Sequence, residues 1–285
     1  MADLLTAFAC AKGIQALQTI DLVAQDEELL KTIMEANGVT YVDTLYVHEL
    51  ANFAHARSGK RKLFGCMVKN KDNDLIVILR CTETKLEIVH DAMFLPSFNY
   101  MKGAEFTLVA SGFLRVYQSL HQGKEGLYAA ASIANMHDIN DIIICGHSLG
   151  GAVATLLGFE LAQVYKLKPK VYTFGSPRVG DFQFAKKFNE LIPDSMRVIM
   201  AYDPITTVPI FPGYWHVQTA YVLHPQQKLT KLDPLAHHHI STYIWALSLV
   251  TPGVDIVPID PQLVPKPSLW DKLKEKVTTW WKGEK

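Results

Sequence analysis

Apolar and polar residues change their period several times along this chain, and each change marks an element. Over residues 1–36 the apolar positions Leu4, Leu5, Phe8, Ile14, Leu17 and Leu22 recur about every three or four residues, the spacing of a helix with one buried face. A second helical pattern is read over 42–57, ending at the turn Arg57-Ser58-Gly59-Lys60. Lys62–Val68 and Asp74–Arg80 flank a polar stretch, Lys69–Asp74, which predicts a hairpin. Residues 83–104 hold Leu86, Ile88, Met93, Phe94, Leu95, Phe98, Tyr100 and Met101 with no clean period. They read either as a core-covering loop with one short helix or as a mobile lid with an apolar inner side. Helices are predicted over 111–122 and 124–136. Ile142–Cys145 is a short continuous apolar run that suits a strand buried on both faces, and Ala152–Val164 is a long helix rich in Ala and Leu. Strand 171–174, helix 182–192, strands 196–201 and 215–223, and helix 235–250 follow. This alternation predicts an α/β sandwich with a largely parallel central sheet.

Composition narrows the function classes. Lys plus Arg and Asp plus Glu stand at 28 each, so no global field draws nucleic acid or an acidic partner. Cys10, Cys66, Cys81 and Cys145 are far apart, with no CxxC and no Cys/His spacing suited to zinc; they read as four reduced thiols in a reducing compartment. The N-terminal segment lacks the charge and apolar pattern of a secretory signal, and no apolar run reaches membrane-spanning length. These features predict an intracellular chain, with contact at a membrane periphery left open.

The chemistry centres on Gly146-His147-Ser148-Leu149-Gly150, a G-x-S-x-G motif between the apolar run and the Ala/Leu helix. Strand, tight turn and helix would hold the Ser148 hydroxyl on a sharp corner at the positive end of that helix. There it can attack a carbonyl carbon, with the Leu149 N–H facing the developing oxyanion. A serine nucleophile needs a base, and the base needs an acid to hold its tautomer. Asp203 lies just beyond strand 196–201, at the expected carboxyl end; Asp181 competes, but it opens a helix, where Asp is an ordinary N-cap. His216, His224, His237, His238 and His239 are the candidate bases, with His216 inside a strand. Adjacent helical residues point about 100° apart, so His237–His239 do not form a metal site. A His in the first helical turn would be favoured as the neutral imidazole by the dipole.

Six segments together carry a family resemblance: Arg80-Cys81-Thr82, Ser111-Gly112-Phe113, Gly146–Gly151, Thr173–Gly180, Asp203–Pro209 and His238–Tyr243. Over residues 40–250 the chain resembles the class 3 lipases, fungal-lipase-like α/β hydrolases. The resemblance implies an α/β-hydrolase domain over 1–255, with Ser148 as nucleophile and Asp203 as the acid. The family spacing His-x-Ile-x-x-Tyr selects His238, with Tyr243 as reference, and a shorter family spacing keeps His239 open. It implies Thr82 and Leu149 as oxyanion donors, although Cys81 stands where the family usually has Gly. It also places the family's lid on 83–104.

Residues 256–267 form a Pro-rich linker, and 268–285 read as a short amphipathic helix. Its Trp270, Trp280 and Trp281 lie mostly apart from Lys272, Lys274, Lys276 and Lys282, a pattern that suits either a membrane interface or docking on the body. The implied activity is serine-dependent hydrolysis of lipid esters, foremost acylglycerols, with no cofactor and no metal. Phospholipase A1, acyl transfer to an alcohol, and non-catalytic binding to a lipid surface are the alternatives.

Overall fold

The computed structural model describes residues 3–21, 27–48, 61–81, 95–98, 101, 103–104, 106–123, 127–210, 212–225, 229 and 235–263. The chain opens with α1 (Leu4–Asp21), α2 (Glu27–Ala36), β1 (Thr40–His48), β2 (Arg61–Lys69), β3 (Leu75–Leu79) and β4 (Pro96–Phe98). Next come β5 (Leu108–Ala110), α3 (Ser111–Gln118), β6 (His121–Gln122), α4 (Ala129–Ala134), β7 (Ile142–His147) and α5 (Leu149–Gln163). It continues through β8 (Lys170–Phe174), β9 (Gly180–Asp181), α6 (Phe182–Leu191) and β10 (Ser195–Met200). The last regular elements are β11 (Tyr214–Trp215), β12 (Ala220–Leu223) and α7 (Ile240–Ser248).

The main sheet has the order β12-β10-β8-β7-β3-β2-β1-β6. From β12 to β3 every neighbouring pair is parallel, whereas β3, β2, β1 and β6 pair antiparallel. The parallel half carries the site. Strand side chains alternate between two cores: Ile142 and Ile144 face the layer of α3, α5 and α6, while Ile143 and Cys145 face α1, α2 and α7. Cover on both faces is why β7 reads as an unbroken apolar run. Helix α5 is wedged so deeply that every residue from Leu149 to Ala162 is buried, which explains its apolar surface all round. A second, antiparallel sheet, β11-β9-β5-β4, stands beside the main one.

Several expectations change. The 42–57 segment is not helical where it is described, because Thr40–His48 is a strand paired with β2. Register shifts at Tyr41/Asp43 and Leu45/Tyr46 break its alternation, so Thr44, Leu45, Tyr46 and Val47 are buried in succession. The 215–223 strand is two strands in different sheets, split where Gln218 takes φ 54°. The 235–250 helix begins only at Ile240, after a turn. Within the expected linker, Val257 N donates to Ser248 Oγ and Leu263 packs with Leu229 and Ala236. Most of 83–104 and all of 268–285 lie outside the described residues. Among the described residues no helix is long and apolar enough to cross a membrane.

Candidate active site

Strand β7 delivers the chain into a sharp corner at Ser148, whose φ of 58° and ψ of −123° lie where residues with a side chain are strained. The corner is held by its backbone. Ser148 N donates to Phe174 O (2.9 Å), and Ser148 O accepts from Gly151 N (2.9 Å) and Ala152 N (3.2 Å). Room for the turn exists only because its flanks are bare. A Cβ on Gly146 would meet Gly150 O at 2.2 Å, and one on Gly150 would meet Arg80 O at 2.4 Å and Leu79 O at 2.7 Å. Gly150→Ala therefore has no flexible neighbour to displace, only the backbone leaving β3. We expect this substitution to lower stability by at least about 3 kcal/mol and to prevent soluble expression or abolish activity, as read by thermal melting.

Asp203 follows β10 and caps the turn Pro204–Thr207, accepting from Ile205 N through Oδ1 (2.9 Å). Its other oxygen, Oδ2, accepts from the Tyr243 hydroxyl (2.6 Å) and from His238 Nδ1 (2.8 Å). A carboxylate can only accept here, so the His238 proton sits on Nδ1 and Nε2 keeps its lone pair. Nε2 lies 2.8 Å from Ser148 Oγ, which makes the serine the donor to it. Ser148, Asp203 and His238 are all buried. Burial, followed by the charge of Asp203, pushes the Tyr243 phenol well above its usual range, so it remains a donor to the carboxylate while accepting Met200 N–H (3.0 Å).

The structure thus brings together Ser148, Asp203 and His238 from three separate segments. His238 precedes α7 rather than lying in its first turn, so its hydrogen bonds, not the helix dipole, set its tautomer. His239 is the N-cap residue of α7. His237 packs against Tyr202, and among the described residues its buried Nδ1 has no hydrogen-bond partner. His224 lies exposed just beyond β12. Asp181 caps α6 by accepting from Phe184 N (2.8 Å), away from the His238 pair. Leu149 is the first residue of α5, a position whose N–H the helix ladder cannot use, so that donor is available to a ligand. Thr82 lies outside the described residues; the chain before it, at Arg80, runs against Gly150.

Three contributions to the geometry of the site escape a sequence reading. Tyr243 was legible only as a spacing marker, yet it is the third donor on Asp203. Gly175 has φ 57°, and a Cβ there would approach Asp203 Oδ2 to 2.8 Å and His238 Nδ1 to 2.9 Å. Arg178 Nη1 donates to Thr207 O and to Pro209 O (2.8 Å), and His216 Nε2 donates to Thr206 O (2.7 Å), pinning the acid loop by its carbonyls.

His216 also sets a pH dependence. Burial, then the neighbouring Arg197 charge, lowers its pKa to about 4, and burial, then the charge of His238, holds His147 well below the usual range. The unfolded chain, with histidines near pKa ~6.5, takes up protons that the folded chain refuses. Stability should be complete above about pH 6.5 and fall as the pH drops towards 4. Thermal midpoints across that window should show the fall, and His216→Gln should make it shallower, with His147 accounting for part of what remains.

Residues 76–212 match the family described as Lipase (class 3). The chain is 37% identical over 227 residues to phospholipase A1 EG1 of Oryza sativa subsp. indica, covering 66% of this chain and 50% of the relative. It is 35% identical over 120 residues to the secreted mono- and diacylglycerol lipase 1 of Fusarium solani, covering 40% and 34%. The chain thus spans half or less of these curated relatives. A lipase from Rhizopus microsporus var. chinensis superposes with a TM-score of 0.55 at 23% identity, covering 79% of this chain and 74% of that one, a likeness of fold. With the parallel half-sheet and its strand–corner–helix, the fold is that of the α/β hydrolases.

Proposed function

Because the chain belongs to the class 3 lipase family, we propose that it is a serine-dependent carboxylic ester hydrolase of lipid esters, foremost acylglycerols. The observation that carries this is the chain of two 2.8 Å hydrogen bonds from Ser148 Oγ through His238 to Asp203 in a buried site. Ser148 Oγ attacks the acyl carbonyl carbon as His238 Nε2 takes its proton. Asp203 stabilises the imidazolium and keeps Nδ1 aimed. The Leu149 N–H at the positive end of α5, and the Thr82 N–H, receive the oxyanion. The alcohol leaves with the proton from His238. Water then attacks the acyl-enzyme, losing its proton to the same nitrogen, and the fatty acid is released.

Phospholipase A1 activity is the second reading, supported by the long match to a relative of that name. It needs the same three residues. Peripheral contact with a lipid surface through 83–104 and the amphipathic sequence 268–285 belongs to the proposal. Its support is the apolar and Trp/Lys patterning, together with the exposure of Leu95 and Phe98 at the described end of the first segment.

The test is hydrolysis of p-nitrophenyl esters from acetate to palmitate, followed by diacylglycerol emulsions and phosphatidylcholine vesicles with product analysis. We expect fatty acid release from the long-chain substrates. His238→Ala should lose about 10⁴-fold or more in kcat, while His239→Ala keeps most of it. A folded wild-type protein with no turnover on any ester would overturn the proposal. Release from phosphatidylcholine alone would move the assignment to phospholipase A1.

A further inference from the structure

Helix α1 lies outside the stretch matched to the family, yet one of its side chains reaches the nucleophile corner. Gln18 Nε2 is 3.4 Å from His147 Nδ1, and His147 Nε2 is 2.6 Å from the backbone carbonyl oxygen of His238. A carbonyl only accepts, so His147 carries its proton on Nε2, and Nδ1 is left as the acceptor facing the Gln18 amide. The two imidazoles lie 4.6 Å apart, tilted by 33°, with His147 buried. The carbonyl of His238 is one residue too early for the first turn of α7, whose Thr242 and Tyr243 N–H groups go to His239 O. His147 supplies the donor that the helix does not.

We propose that His147, oriented by Gln18, is a positioning residue for the base. The ring of His238 is aimed at one end by Asp203 and at the other by Ser148. His147 fixes its third point, the backbone from which the ring projects. Holding that point matters most when Nε2 must pass a proton between Ser148 Oγ and the leaving oxygen, because small misplacements there cost large factors in rate. Burial keeps His147 neutral, so it anchors the backbone without placing a second positive charge beside the imidazolium. This inference rests on His238 being the base.

The test compares His147→Phe, His147→Gln and Gln18→Leu with wild type on one p-nitrophenyl ester, with kcat and KM separated. Phe keeps the ring bulk and removes the donor, whereas the Gln side chain can return an N–H to the same carbonyl. We expect His147→Phe to lower kcat about tenfold or more with KM within about twofold, as for a group acting on the chemical step. His147→Gln should recover most of the loss, and Gln18→Leu should show a smaller fall of the same kind. Full kcat in a folded His147→Phe, or equal losses in the Phe and Gln variants, would overturn the proposal. Should the Phe variant not fold, Gln18→Leu with unchanged kcat would do so.

A readout free of turnover separates this from the hydrolase proposal. The NMR signal of the His238 Nδ1 proton should be sharp in wild type and in His147→Gln, and broadened in His147→Phe and, less so, in Gln18→Leu. An unchanged signal in both of these would refute the positioning role even if wild type hydrolysed no ester.

Discussion

Ser148→Ala should remove about a millionfold of kcat from ester hydrolysis while leaving the fold intact. The fold is spared because, among the described residues, the hydroxyl bonds to His238 and to no element that holds the corner. The corner is held by Ser148 N on Phe174 O and by Ser148 O receiving Gly151 and Ala152 N–H, all of which alanine retains. The activity is lost because Oγ is the atom placed 2.8 Å from His238 Nε2. A companion variant tests the strain. Alanine at φ 58° is as strained as serine, whereas glycine reaches that conformation freely. Strain of this kind is worth about 1–3 kcal/mol, and the extra unfolded-state entropy of glycine takes back about 0.5–1 kcal/mol. Ser148→Gly should therefore be as inactive as Ser148→Ala and melt somewhat higher. Retention of even a hundredth of wild-type activity in both would remove Ser148 from the mechanism.

The legible parts of this molecule are those where one physical demand dominates. Ile142–Cys145 had to be a doubly covered strand because it is apolar throughout, and the bare flanks of Ser148 announced a crowded turn. The antiparallel half of the sheet was harder to see. In Thr40–His48 two register shifts erase the period-two signal, leaving spacings that imitate a helix. The split of 215–223 was hidden for another reason: it depends on His216 and Gln218 bonding to distant segments, which no local pattern encodes. Ser148 and Asp203 were legible as candidates from motif and chain order, but choosing among adjacent histidines required a family spacing, since three consecutive residues differ only in where the turn before α7 points them. Tyr243 and His147 reach the site through tertiary hydrogen bonds alone. Their identities were plain in the sequence and their partners were not.

Asp203→Asn should cost about 10⁴-fold in kcat with little change in KM, together with a lower melting temperature. The amide can be placed in two ways, and each breaks something. With its oxygen on the Ile205 N–H, the NH₂ faces His238 Nδ1. The imidazole must then accept there and carry its proton on Nε2, where it cannot receive one from Ser148. With the oxygen turned towards His238 and the Tyr243 hydroxyl, the tautomer is kept, but two donors, the NH₂ and Ile205 N–H, oppose each other in the buried turn. An unsatisfied buried donor costs about 1–3 kcal/mol, which is why stability falls along with rate. Tyr243→Phe removes one of the three donors on the carboxylate and strands Met200 N–H, so a loss of roughly tenfold, with reduced stability, is expected from it. Asp181→Asn is the control that decides between the two acids, since Asn caps a helix about as well as Asp and the Asp181 side chain accepts from Phe184 N at the start of α6. Measured side by side, an inactive Asp203→Asn and an unaffected Asp181→Asn would assign the acid. A vigorous Asp203→Asn enzyme would mean that His238 holds its tautomer without a carboxylate, and the mechanism above would have to be rebuilt from the base outwards.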